Sequence, residues 1–181
     1  APVAGHEQVR LSWSSVAGAV GYHIVQSETE SAPGSVAATV TGAVYQHDIL
    51  GLTNGTTYYF KVIATNPGGD SPASNIVSVI PMTVPSAPSD VIATAGDSSV
   101  TITFAAPSDD GGSAITGYEV LDSDGQVVAA GPASPIRITG LTNGNRYSFT
   151  VRAWNGAGVG EESAISNEVI PAAPPSDDDE D

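Results

Sequence analysis

The sequence predicts an all-β protein built from two tandem sandwich domains. Two observations carry that prediction. Apolar and polar residues alternate along most of the chain, and no stretch sustains the three-and-four spacing of an amphipathic helix. The chain also repeats itself. Leu52-Thr-Asn-Gly-Thr-Thr-Tyr-Tyr-Phe-Lys-Val-Ile-Ala-Thr-Asn66 returns as Leu141-Thr-Asn-Gly-Asn-Arg-Tyr-Ser-Phe-Thr-Val-Arg-Ala-Trp-Asn155, and Ile80-Pro81 returns as Ile170-Pro171, ninety residues on. A period of that length is one small sandwich, and 181 residues hold two.

The strands follow in order. Val9, Leu11 and Trp13 alternate with Arg10 and Ser12, and Val100, Ile102 and Phe104 alternate with Thr101 and Thr103. Each set reads as a strand with one buried face. Tyr22-His-Ile-Val and Tyr118-Glu-Val-Leu open a third strand in each copy. The longest strands place Tyr58, Phe60, Val62 and Ala64 on one face, and Tyr147, Phe149, Val151 and Ala153 on the matching one. Asn54-Gly55 and Asn143-Gly144 are turn dipeptides, and Asp122-Ser-Asp-Gly125 reads as a hairpin turn. Residues 1–81 form the first expected domain and 89–171 the second. Three prolines stiffen the stretch from Pro81 to Pro88, so 82–88 is expected as a linker. Residues 172–181 carry prolines and then a run of like charge, which cannot pack a core and is expected as a solvated tail.

At these residues the chain resembles fibronectin type III domains, twice over. Leu11-Ser-Trp13 and Ile102-Thr-Phe104 carry the aromatic that ends the second strand. Gly21-Tyr22 and Gly117-Tyr118 open the third. Leu-Thr-Asn-Gly-x-x-Tyr-x-Phe-x-Val-x-Ala-x-Asn completes the pattern. The resemblance implies two immunoglobulin-like sandwiches. It also implies that Tyr58 and Tyr147 form tyrosine corners, in which the hydroxyl returns to upstream backbone. It covers the chain except the tail. It is of bacterial type, and implies modules found outside the cell or on its surface, beside polysaccharide-degrading enzymes, adhesins or cell-wall proteins. The Arg-Gly-Asp integrin motif is absent; Gly68-Gly69-Asp70 lacks the Arg.

One departure stands out. Aligning Val9 with Val100 sets Ala1 opposite Ile92, so the first domain lacks the counterpart of Ser86–Val91 and its first strand is expected to be truncated. Either the sequence is a piece of a longer protein, or a neighbouring chain supplies the edge by strand addition. The tail's Pro-Pro-Ser-Asp is loosely like the Pro-Ser-Ala-Pro-Ser-Asp ahead of the second domain, which opens the prospect of head-to-tail self-association.

Composition narrows the partners. The formal charge is −15, opposite to the Lys/Arg surface that nucleic acid or an anionic membrane requires. No cysteine is present, which removes disulfides and thiol nucleophiles, and no apolar run reaches the ~20 residues of a membrane helix. His6, His23 and His47 do not recur in the second copy and stand in no triad or nucleophile-elbow pattern, so no enzyme is expected.

Two low-specificity sites remain. Asp122 and Asp124 resemble the opening of a calcium loop, but the twelfth position is Ala133 rather than Glu; the competing reading is an acidic turn. Trp154 alternates out of the core with Arg152 beside it. It could stack on a sugar ring, or the arginine could pack over it. Asn54-Gly-Thr56 fits a glycosylation sequon, which the turn already explains. The sequence therefore predicts a non-catalytic extracellular spacer without a required cofactor. Its partners would be other domains of a parent protein, or an extracellular protein or polysaccharide. The alternatives are a polysaccharide- or surface-protein-binding module using Trp154 and Arg152, and a subunit of an extracellular filament.

Overall fold

A computed structural model of the protein describes residues 1–174; the expected acidic run at 177–181 lies outside them. The described residues form fifteen strands and no helix. The chain divides into two compact units, Ala1–Thr83 and Val84–Asp181.

In the first unit, β1 (Val3–Gly5), β2 (Gln8–Ser12) and β5 (Gln46–Leu50) make one antiparallel sheet in the order β1-β2-β5. The other sheet runs β4 (Ser35–Thr41), β3 (Gly21–Ser27), β6 (Tyr58–Asn66) and β7 (Gly69–Asp70), with β8 (Val77–Val79) also on β6. In the second unit, β9 (Ser89–Gly96), β10 (Ser99–Ala105) and β13 (Ile136–Thr139) are ordered β13-β10-β9. They face β12 (Val127–Gly131), β11 (Gly117–Leu121), β14 (Thr150–Asn155) and β15 (Gly158–Glu162). Both units are therefore two-sheet antiparallel sandwiches, as the alternation predicts. β1 pairs over three residues, whereas its counterpart β9 spans eight.

The cores come from the alternating residues. In the second unit Val100, Ile102, Tyr118, Val120, Phe149, Val151 and Ala153 join one buried cluster, with Phe104 and Val91 packed against it. In the first unit the core is in two parts. Val9, Leu11, Ile24, Tyr58 and Phe60 form one, and Tyr22, Val40 and Ala64 form the other. Trp13 packs against both, its ring 5.4 Å from that of Tyr22. His47 is half-buried in register with Leu11, where Ile136 faces Ile102 in the second unit.

Two particulars differ from the sequence reading. The long strand expected from Tyr147 starts at Thr150, and Tyr147 makes only an isolated bridge to Val169. In the first unit β8 pairs with Tyr58, Tyr59 and Phe60, whereas in the second the last segment gives this strand start a single bridge; a pair of serines on that segment also bonds the strand. Ser166 Oγ accepts the Phe149 N–H at 3.1 Å and Ser163 Oγ accepts that of Val151 at 2.9 Å. Hydroxyls thus replace carbonyls as the acceptors of a regular ladder. Ser74 and Ser71 do the same for Val62 and Ala64, both at 3.0 Å.

The second difference concerns residues 82–88, which do not stand apart from the domains. Met82 donates to the Gly5 carbonyl at 3.2 Å, while Pro85 and Pro88 are buried in the second unit. A pyrrolidine carries no N–H, so burying it leaves no donor unpaired.

Candidate functional site

The outer face of β11 and β14 carries the residues singled out for ligand binding. Their register sets Glu119 opposite Arg152 and Gly117 opposite Trp154. Arg152 Nε and Nη2 each lie 2.8 Å from Glu119 Oε2. The two side chains are 29% and 26% exposed, so this cross-strand pair is partly shielded from water and contributes on the order of 0.2–1 kcal/mol. The guanidinium is thereby engaged with a carboxylate. Trp154 is half-buried and lies over Gly117. A Cβ on that glycine would stand 2.2 Å from Trp154 Cζ2 and 2.6 Å from Cη2. The Trp154 carbonyl also accepts the Thr116 N–H at 2.9 Å. The indole therefore has an intramolecular seat, a glycine whose missing side chain makes room for the ring.

Asp122 sits in the turn between β11 and β12. Its Oδ1 accepts the Asp124 N–H at 3.0 Å and the Gln126 N–H at 2.9 Å. Asp109 and Asp110 do likewise for Gly111 and Gly112, both at 2.8 Å. These are Asx turns, in which the carboxylate caps local backbone. Among the described residues no third His, Cys, Asp or Glu side chain joins Asp122 and Asp124 in a metal-holding group.

Tyr58 Oη accepts the Thr53 N–H at 3.1 Å and Tyr147 Oη that of Thr142 at 3.2 Å. Each hydroxyl reaches backbone five residues upstream, the geometry that pins a crossover between sheets. The histidines lie apart. His6 Nδ1 is 3.0 Å from Asn54 Nδ2, and His23 Nδ1 is 2.9 Å from Thr39 Oγ1. His47 stands beside the Arg10–Asp48 pair, whose Nε to Oδ1 distance is 2.6 Å. The hydrogen bond from Arg10 holds the Asp48 carboxyl below the usual carboxylate range. A depressed carboxylate pKa stabilises the fold above its unfolded value and loses that contribution as pH falls through the folded value. At this solvent-facing pair the effect is small.

Sequence reasoning missed what Asn54 and Asn143 do beyond making turns. Glu7 and Ser98, in the first hairpin of each unit, have φ of 52° and 46°, a left-handed conformation that a non-glycine residue enters at a cost. Asn54 Oδ1 accepts the Glu7 N–H at 2.9 Å, and Asn143 Oδ1 accepts the Ser98 N–H at 2.8 Å. The Leu52 and Leu141 amides close the clasp on the carbonyls of the same two residues. The signal was present in the recurrence of Asn within Leu-Thr-Asn-Gly. We expect Asn143→Ala to destabilise the second domain by about 1–2 kcal/mol, since it strips the acceptor from a constrained amide. Urea unfolding measures this, and an unchanged midpoint would show the clasp to be idle.

Comparison with known proteins agrees with this geometry. The family described as Fibronectin type III domain matches twice, over residues 2–80 and 86–169. A Kelch domain-containing protein of Saccharolobus solfataricus is 30% identical over 171 residues, covering 93% of this chain and 23% of that protein. Endoglucanase B of Cellulomonas fimi is 36% identical over 134 residues, 67% of this chain and 12% of the enzyme. Chitinase A1 of Niallia circulans is 32% identical over 173 residues, 89% of this chain and 23% of the enzyme. The chain thus spans less than a quarter of each of these relatives. A crystal structure of titin domains superposes with a TM-score of 0.64 at 19% identity, covering 94% of this chain and 61% of that one, which speaks for the fold alone.

Proposed function

Because this chain belongs to the fibronectin type III family, in two tandem copies, we propose that it is a non-catalytic extracellular module pair that holds neighbouring domains at a set distance. The observation that carries this reading is the internal commitment of the ligand candidates. Trp154 is seated on Gly117, and Arg152 is paired with Glu119. A dedicated sugar platform would present aromatic faces and polar groups still free to bind. Here both are spent on the sandwich. The conserved plan of the two units, with buried apolar strands and hydroxyl-capped edges, serves stability rather than chemistry.

The relatives support an accessory role. An endoglucanase and a chitinase share this segment over a minor part of their length, which fits modules set beside other domains, and the role of those other domains does not transfer to this chain. Similarity to segments of such enzymes favours a location outside the cell. It also keeps polysaccharide binding as the competing reading, with Trp154 and Arg152 as its residues. Retention on insoluble cellulose and chitin separates the two. The spacer reading expects the chain to elute with a non-binding control. Retention on either polymer overturns it, and Trp154→Ala then shows whether the indole is responsible.

A further inference from the structure

Three asparagines of the chain precede glycine: Asn54, Asn143 and Asn155. An Asn-Gly pair can react with itself, because glycine has no side chain to crowd the approach of its nitrogen. The glycine nitrogen bonds to the asparagine Cγ and the Cγ–Nδ2 bond breaks. Ammonia leaves with the proton that the glycine nitrogen gives up. Water then opens the cyclic imide to aspartate, or to isoaspartate with the main chain routed through the side chain. Asn66 takes the place of Asn155 in the first domain, but it precedes Pro67, which has no N–H to react.

At Asn54 and Asn143 the fold ties down both reacting groups. The Gly55 N–H donates to the Pro81 carbonyl and the Gly144 N–H to the Pro171 carbonyl, both at 2.9 Å. Each carbonyl belongs to the last segment of its own domain, so the nitrogen is held only while that segment is docked. The side-chain amide is held at both atoms. Oδ1 accepts the Glu7 N–H in the first domain and the Ser98 N–H in the second. Nδ2 lies 3.0 Å from His6 Nδ1 in the first, and donates to Asp97 Oδ1 at 2.8 Å in the second. Neither side chain is buried, so water is at hand whenever these bonds open. Asn155 is guarded locally instead. It is buried, and its Oδ1 accepts the Ala157 N–H at 2.8 Å in its own turn.

We propose that Asn54 and Asn143 are deamidation sites that each domain keeps closed with its last segment, and that the aspartate product is accepted by the first domain and rejected by the second. Deamidation puts a carboxylate oxygen where Nδ2 stood. In the second domain that oxygen faces Asp97 Oδ1. A donor is lost and two like charges meet, which pushes the new carboxylate away from the Ser98 N–H. In the first domain the oxygen faces His6, whose ring nitrogen can donate, so the clasp on Glu7 closes again. The inference is independent of the spacer reading.

The test holds the full chain at mildly alkaline pH in water enriched in heavy oxygen, and follows the peptides of Asn54 and Asn143 by mass spectrometry. Label enters only when the imide opens. Both sites should take it up readily in guanidinium chloride, and about tenfold or more slowly in the folded chain, as for any event gated by a local opening. Equal rates overturn the proposal. In low denaturant the uptake at Asn143 should rise together with hydrogen exchange of the Gly144 N–H. A Gly144 amide that exchanges freely while Asn143 stays unlabelled also overturns it, because the last segment is then not the guard. Substitutions test the products. Each domain carries one tryptophan, Trp13 or Trp154, so the indole N–H resonances report the unfolding of each separately. Asn143→Asp should weaken the folding equilibrium of the second domain about tenfold, the scale of one lost charge-assisted hydrogen bond. Asp97→Asn in that background exchanges donor and acceptor and should restore it. Asn54→Asp should leave the first domain unchanged. A neutral Asn143→Asp, or one that Asp97→Asn does not rescue, overturns the assignment of the second domain as the one that rejects the product.

Discussion

Gly117→Ala is expected to lower the melting temperature of the second domain by about 10 °C, the equivalent of about 2 kcal/mol in a domain of this size. Two effects of opposite sign compete. Gly117 has no positive φ, so alanine fits the backbone, and restricting the unfolded chain would by itself stabilise by about 0.4–1 kcal/mol. Against this, the new methyl would lie 2.2 Å from Trp154 Cζ2. Either the indole leaves its seat or the strands part, and overpacking of this kind costs about 1–3 kcal/mol. The steric term wins. The decisive control is the same substitution in a Trp154→Ala background. There the ring is gone, and Gly117→Ala should be neutral or slightly stabilising, a coupling of about 2 kcal/mol between residues in contact. Equal penalties in both backgrounds would mean that Trp154 does not rest on Gly117, and would return the indole to the list of free binding residues.

A comparable loss is expected from Gly160→Ala, for a different reason. Its Cβ would meet backbone: the Pro85 oxygen at 2.3 Å, the Pro85 carbon at 3.1 Å and the Ala153 oxygen at 3.3 Å. A flexible side chain could swing aside, whereas a proline-locked segment cannot. The expected cost is about 2–3 kcal/mol, with a local signature. As residues 84–88 are pushed off β15, the Ser86 N–H loses its 2.9 Å bond to the Asp109 carbonyl and its hydrogen exchange should accelerate ahead of global unfolding. If Ser86 remains protected while the domain is destabilised, the segment has another anchor. If neither changes, residues 84–88 do not pack here.

The same experiment addresses how the two domains differ. Many of their core residues correspond, from Val9 and Val100 to Phe60 and Phe149. They part at the edge that residues 84–91 cover in the second domain. With Val91 in place, the second core is one cluster. In the first, Trp13 packs against two.

Sequence alone determined the fold class, the repeat and the face of each strand. Period-two alternation records which side chains meet the opposite sheet, and that pattern survives without knowledge of any neighbour. It placed Val100, Ile102, Phe60 and Phe149 in the core, and it identified Tyr58 and Tyr147 through a motif whose spacing encodes the geometry. It also put Trp154 and Arg152 on the outer face of their strand. What lies across from them is a matter of register between strands distant in the chain, and only the tertiary structure decided it. That register brought Gly117 beneath Trp154 and Glu119 beside Arg152. The Asn54 and Asn143 clasps and the serine hydroxyls that accept strand N–H groups have the same origin. Each joins groups brought together only by folding, and no local pattern of residue types distinguishes a side chain that has found such a partner from one that faces water.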